Sequence, residues 1–161
     1  MPERRILGPE DGEIYQPERA CGDRFLINGR DGGGRFSLVE HRLPPKVLAA
    51  PVHKHTFEDE FSFVLEGSVG ARFGDEEVVA GPGDLVFKPR GEWHTFWNAG
   101  DTPARLLEII SPGGLEELFR WLDRQGEELS EGELAQKAGP YGCSADMAAT
   151  TALVAEHGLV F

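Results

Sequence analysis

An all-β core followed by a short helical tail is the fold class that the sequence predicts, and three observations predict it. Short runs of strand-forming residues recur at 60–66, 68–73, 77–80, 84–88, 93–98 and 104–110. Glycine and proline punctuate those runs, which is the spacing of a sandwich or barrel. After Ser111-Pro112 the apolar period lengthens to that of a helix. At 161 residues and 40% hydrophobic composition the chain suits one domain with a full core. It divides into an N-terminal arm over 1–24, a barrel over 25–111, and a C-terminal helical extension over 112–161 that packs on the barrel.

Taken in order, residues 1–24 mix charge, glycine and proline, and only Ile14-Tyr15 reads as a strand. Met1 to Gly12 holds no apolar run of signal-peptide length, so a cytoplasmic location is expected. Phe25-Leu26-Ile27 is an apolar run closed by Asn28-Gly29. A strand over 35–43 follows the Gly32-Gly33-Gly34 turn and stops at Pro44-Pro45. Side chains alternate along strands, so His53 and His55 share a face, as do Glu60, Ser62 and Val64, and again His94, Phe96 and Asn98. The other face of the Glu60 strand carries Phe61, Phe63 and Leu65, too apolar to stand in water. The arm, the C-terminal helices or a second subunit must cover it, and a contiguous apolar face favours a homodimer as contributor.

In the tail, Leu115, Leu118, Phe119 and Leu122 recur at helical spacing, with Ser111 as the expected cap and Pro112 in the first turn. Ser130 and Glu133 have capping-box spacing for a second helix that Gly139-Pro140 ends. Ser144 is the expected cap of a third, running to His157 with Gly158 as its stop.

The formal charge of −12, from 28 acids against 16 bases, argues against nucleic acid and against an anionic membrane surface, since both are held by Lys and Arg. No segment approaches the length needed to span a bilayer. A small molecule is the expected partner. Cys21 and Cys143 lie far apart and are expected to be free thiols without a role.

The chemistry gathers between His53 and Asn98. Two histidines at i and i+2 on an extended segment aim imidazoles the same way, a turn brings Glu60 back as an oxygen ligand, and His94 arrives from a separate turn after Pro89 and Gly91. Three imidazoles and a carboxylate suit one divalent transition metal per chain, whether Fe, Mn, Ni, Co, Cu or Zn. Glu58 and Asp59 are expected in a solvated acidic loop, and His41 and His157 as surface or core histidines outside the ligand set. Ser62, Val64, Phe73, Phe87 and Phe96 are candidates for a substrate pocket wall, with barrel core as the competing role.

These residues carry a resemblance. His53-x-His55, four residues, Glu60, six residues and Gly67, then Gly83, five residues, Pro89-x-Gly91, two residues, His94, three residues and Asn98, resemble the two motifs of the cupin superfamily. One departure is Val47, where the family has glycine. The resemblance implies a double-stranded β-helix, or jelly-roll, barrel with His53, His55, Glu60 and His94 on the metal. The Phe61 to Gly67 strand, and Ser111-Pro112-Gly113-Gly114 leading to a helix with Glu117 and Phe119, resemble the quercetin 2,3-dioxygenase-like cupins. That implies a metal-dependent dioxygenase acting on a small aromatic or enol-bearing molecule, with Glu60 as both ligand and proton acceptor. Redox-neutral isomerase, lyase or hydrolase chemistry and non-catalytic binding of a small molecule are the alternatives.

Overall fold

Alternation with period two becomes two facing antiparallel sheets in the computed structural model, which describes residues 6–125 and 130–161. The first five residues of the expected arm, and 126–129 of the extension, lie outside the described residues. The strands are β1 (Glu13–Tyr15), β2 (Gly22–Ile27), β3 (Ser37–Leu43), β4 (Val52–His55), β5 (Asp59–Glu66), β6 (Val69–Phe73), β7 (Glu76–Ala80), β8 (Leu85–Lys88), β9 (His94–Asn98), β10 (Ala104–Ser111) and β11 (Cys143–Asp146). One sheet has the order β1-β2-β3-β10-β5-β8 and the other β11-β4-β9-β6-β7. The result is a jelly-roll barrel with a helical tail.

Between the sheets, Leu43, Val64, Val69, Ala71, Val86, Phe96 and Leu106 form the core of one half of the barrel. The burial pattern of β10 shows the alternation that places them: Ala104, Leu106, Glu108 and Ile110 are buried, and the residues between them are not. Gly67 ends β5 at φ 78°, and a Cβ there would meet the Pro103 carbonyl oxygen at 2.6 Å. Only glycine allows that approach.

The ends of the chain join the sheets. Of the arm expected over 1–24, Glu13–Tyr15 pairs with residues 23–25 of β2, and from the extension over 112–161 β11 pairs with β4. Helix α1 (Glu116–Asp123) follows Leu115. Ser111 does not cap it; this residue is the last of β10, and its hydroxyl donates to the Arg35 carbonyl. Helix α2 (Glu131–Ala138) has the expected capping box, with Ser130 and Glu133 bonded reciprocally. Helix α3 (Met147–His157) closes at Gly158 as expected, but its cap is Asp146, whose Oδ1 accepts from the Ala149 N–H at 2.9 Å. Ser144 instead sits opposite Lys54 in β11, because pairing with the β4 edge satisfies more backbone groups than one local cap.

Helices α1 and α2 pack over the barrel mouth on Phe25, Val39 and Ile110, while α3 packs outside β4 and β9 on Val52 and Trp97. Among the described residues no helix is long and apolar enough to cross a membrane.

Candidate metal centre

Strand pairing brings the four expected ligands together. His53 and His94 are direct cross-strand partners between β4 and β9, His55 lies two residues along the same face of β4, and Glu60 enters from the opposite sheet on β5. Their donor atoms all lie within 4.8 Å of one another. Glu60 Oε1 is 3.4 Å from His55 Nε2, and its Oε2 is 3.6 Å from His94 Nε2. His55, Glu60 and His94 are fully buried, and His53 is half-buried toward the barrel mouth.

The imidazoles are oriented by the main chain. Nδ1 of His53, His55 and His94 lies 2.7, 2.9 and 3.0 Å from the carbonyls of Pro51, Glu58 and Glu92. A carbonyl only accepts, so each Nδ1 carries a hydrogen and each ring turns its Nε2 toward the centre. Gly91 serves the same end: at φ 80° it turns the chain into β9, and its N–H donates to the His55 carbonyl. Nε2 of His55 and of His94 is buried without a hydrogen-bond partner. Buried polar atoms are rarely left so, and a cation at the centre would satisfy both. The donor set fits a divalent transition metal.

The electrostatics agree. Burial, reinforced by the neighbouring His94, holds His53 well below the usual imidazole range, which keeps it a neutral donor. Burial opposes the charge on Glu60, yet Lys88 and the two histidines hold its carboxyl well below the usual range. Glu60 lifts His55 above the usual imidazole range against its burial, and a cation at the centre would meet the same carboxylate.

Lys88 and Glu108 are functional neighbours that the sequence reading missed. Lys88 Nζ lies 2.8 Å from Glu60 Oε2 and 2.7 Å from Glu108 Oε2, and it is wholly buried. Ser62 Oγ donates to Glu108 Oε2 at 2.8 Å. Burial raises the Glu108 carboxyl despite Lys88, whereas Lys88 and the histidines hold that of Glu60 well below its usual range. Register held the signal, since Val86 and Lys88 face inward on β8 and Glu108 lies between buried Leu106 and Ile110.

Above His53 and His55 opens a cavity of about 440 Å³ lined largely by the tail. Leu115 just before α1 and Leu118, Phe119 and Leu122 within it wall one side, Leu134, Ala135 and Ala138 come from α2, and Cys143, Ala145 and Met147 from β11 and α3. No Lys or Arg lines it among the described residues, and Glu131 is its one carboxylate.

None of the five expected pocket residues lines this cavity. Phe87 is half-exposed on the outer face of β8 and stacks on Phe61 with ring centroids 4.9 Å apart. Val64 and Phe96 are barrel core, with Phe73 packed against them, and Ser62 is held by Glu108. The β-strand interior is filled, so the open volume lies where strands end and helices begin. Glu58 also departs from expectation: it is buried, its carboxyl is raised by that burial, and its backbone holds His55. Asp59 is held by Arg90 through a 2.6 Å ion pair at a pKa of about 2. His157 pairs with Glu77 and packs at a tilt against Trp97, and both cysteines are free.

Comparison with known proteins gives the following. The family described as Cupin domain matches residues 39–110. The tetracenomycin polyketide synthase protein TcmJ of Streptomyces glaucescens is 38% identical over 89 residues, 55% of this chain and 60% of that protein. Quercetin 2,3-dioxygenase of Aspergillus japonicus is 31% identical over 105 residues, 62% of this chain and 30% of that protein. The match thus spans less than two thirds of either curated relative. Among solved structures, the polyketide cyclase RemF from Streptomyces resistomycificus superposes with a TM-score of 0.58 at 30% identity, over 68% of this chain and 80% of its own.

Proposed function

The chain belongs to the cupin family, and from that premise we propose that it is a metal-dependent enzyme acting on a small, uncharged aromatic or enol-bearing molecule. The observation that carries this reading is the position of the His53, His55, Glu60 and His94 cluster at the floor of an apolar cavity. A wall of leucine, alanine and phenylalanine accepts a flat apolar body, and the absence of a cation among its described residues leaves a phosphate or carboxylate uncompensated.

His53, His55, Glu60 and His94 would hold one divalent transition metal, which supplies a Lewis acid for a hydroxyl or enol oxygen and, where redox-active, a path for electrons. The carbonyl-tethered rings keep the donor atoms in place as substrate arrives. Glu60 is a weak base, because Lys88 stabilises its charged form. It takes a proton from substrate only once that hydroxyl has been made acidic, and Lys88 Nζ then loses one of its two carboxylate partners. Leu118, Phe119 and Leu134 exclude water from the floor.

Redox-neutral ring closure or dehydration takes precedence over oxygenation in this reading. The polyketide cyclase RemF is matched over 80% of its length, against 30% for the quercetin dioxygenase. Dioxygenation is the second reading, favoured by that last similarity. The acidic chain with free thiols suits a cytoplasmic location, and a homodimer formed through the exposed aromatic face of β5 and β8 completes the proposal.

The test is elemental analysis of protein purified without added metal or chelator, beside a His53→Ala/His55→Ala variant, followed by assays of poly-β-keto aromatics and flavonols with and without dioxygen. Metal in the wild type that the variant loses, with anaerobic turnover, is the expected result. Turnover that consumes dioxygen moves dioxygenation to first place. A chain that takes up no metal at these residues overturns both.

A further inference from the structure

A second group of donors lies at the other end of the barrel's buried polar row. Asp23 and His41 are direct cross-strand partners between β2 and β3, and Cys21 stands two residues before Asp23. His41 Nδ1 is 2.7 Å from Asp23 Oδ1; Cys21 Sγ is 3.7 Å from each of these atoms. All three donors lie within 4.8 Å of one another. Asp23 and His41 are buried, and Cys21 is partly exposed, which leaves a way in. The rings of Phe96 and Phe119 flank His41, and Glu108 Oε2 stands 4.0 Å from its Nε2.

The Cys21 thiol is pushed up to about 11 by burial and by Asp23, so it is no activated nucleophile, and a thiol of this kind releases its proton to a metal instead.

We propose that Cys21, Asp23 and His41 form a second cation site for a single zinc-like divalent ion, separate from the histidine-glutamate centre. Sulfur, imidazole and carboxylate donors together suit Zn(II). Zinc at its usual bond lengths to sulfur and nitrogen in a tetrahedron separates those donors by roughly 3.5 Å, close to the two 3.7 Å separations found here. The 2.7 Å His41–Asp23 contact opens when the ion replaces the shared proton. An ion there ties Cys21, at the entry to β2, and Asp23 of β2 to His41 of β3.

Cobalt(II) titration of the chelator-treated full chain tests this, because only a thiolate ligand gives a near-ultraviolet sulfur-to-cobalt charge-transfer band and the first centre has no sulfur. The expected result is two cobalt ions per chain with that band. Cys21→Ser should remove the band and one equivalent, and Cys143→Ser should leave both. The band should persist in His53→Ala/His55→Ala, so loss of the first centre is not mistaken for loss of the second. One equivalent and no thiolate band in the wild type overturns the proposal. So does a band that survives Cys21→Ser.

Discussion

Lys88 is the residue on which the charge balance of the first centre turns. Its ammonium is wholly buried between Glu60 and Glu108, with the Phe96 ring 4.3 Å beneath it. Burying an ammonium is costly unless it is paired, and removing one member of a buried ion group leaves the others uncompensated. In chelator-treated protein, Lys88→Met should therefore lower unfolding stability by about 3–5 kcal/mol in urea titrations. Adding Glu108→Gln to it should recover part of that loss, as a double-mutant cycle would read. Residues also show what was legible beforehand. His53, His55, Glu60 and His94 announce themselves by type and spacing. Phe87 shows how register outweighs size, since β8 turns Val86 and Lys88 inward and Phe87 outward.

At the scale of elements, the strands were legible and the tail only in part. Strand edges follow from alternation and from glycine and proline, and α2 declares itself through the Ser130–Glu133 box, all signals local in sequence. Strand β11 has no local signal. It exists because it meets the free edge of β4 after a separation of nearly ninety residues, and that pairing moves the start of α3 from Ser144 to Asp146. The cavity was hidden for the same reason, since its walls come from α1, α2 and β11 while its floor comes from β4. An enlargement on α2 reads this arrangement directly. Ala135 lines the cavity and is otherwise exposed, so Ala135→Phe should narrow the entrance without disturbing the barrel. Steady-state kinetics should show KM raised about tenfold or more, with metal content by elemental analysis unchanged.

For the molecule as a whole, the unresolved requirement of the sequence was a cover for the outer face of β5. In the described residues the arm goes to the β2 edge, α1 and α2 to the barrel mouth and α3 to the outside of β4 and β9. Phe63, Leu65, Leu85, Phe87 and Ile109 therefore remain exposed together. A contiguous apolar patch of this kind matches a self-complementary interface. Phe63→Glu should turn the proposed homodimer into a monomer by light scattering, and a wild type that is already monomeric would remove the dimer from the proposal.

The tethering of the three imidazoles to backbone carbonyls has a consequence for how such a protein changes over time. Pro51, Glu58 and Glu92 hold the rings through their carbonyl oxygens, and every amino acid carries that oxygen. Side chains at these positions are free to drift without turning a ligand. Most of the cavity wall belongs to a different stretch of chain, which can drift separately. Inheritance of the ion-binding floor and divergence of the chamber above it are thus uncoupled, and new molecules can be brought to an old centre by rewriting the tail alone.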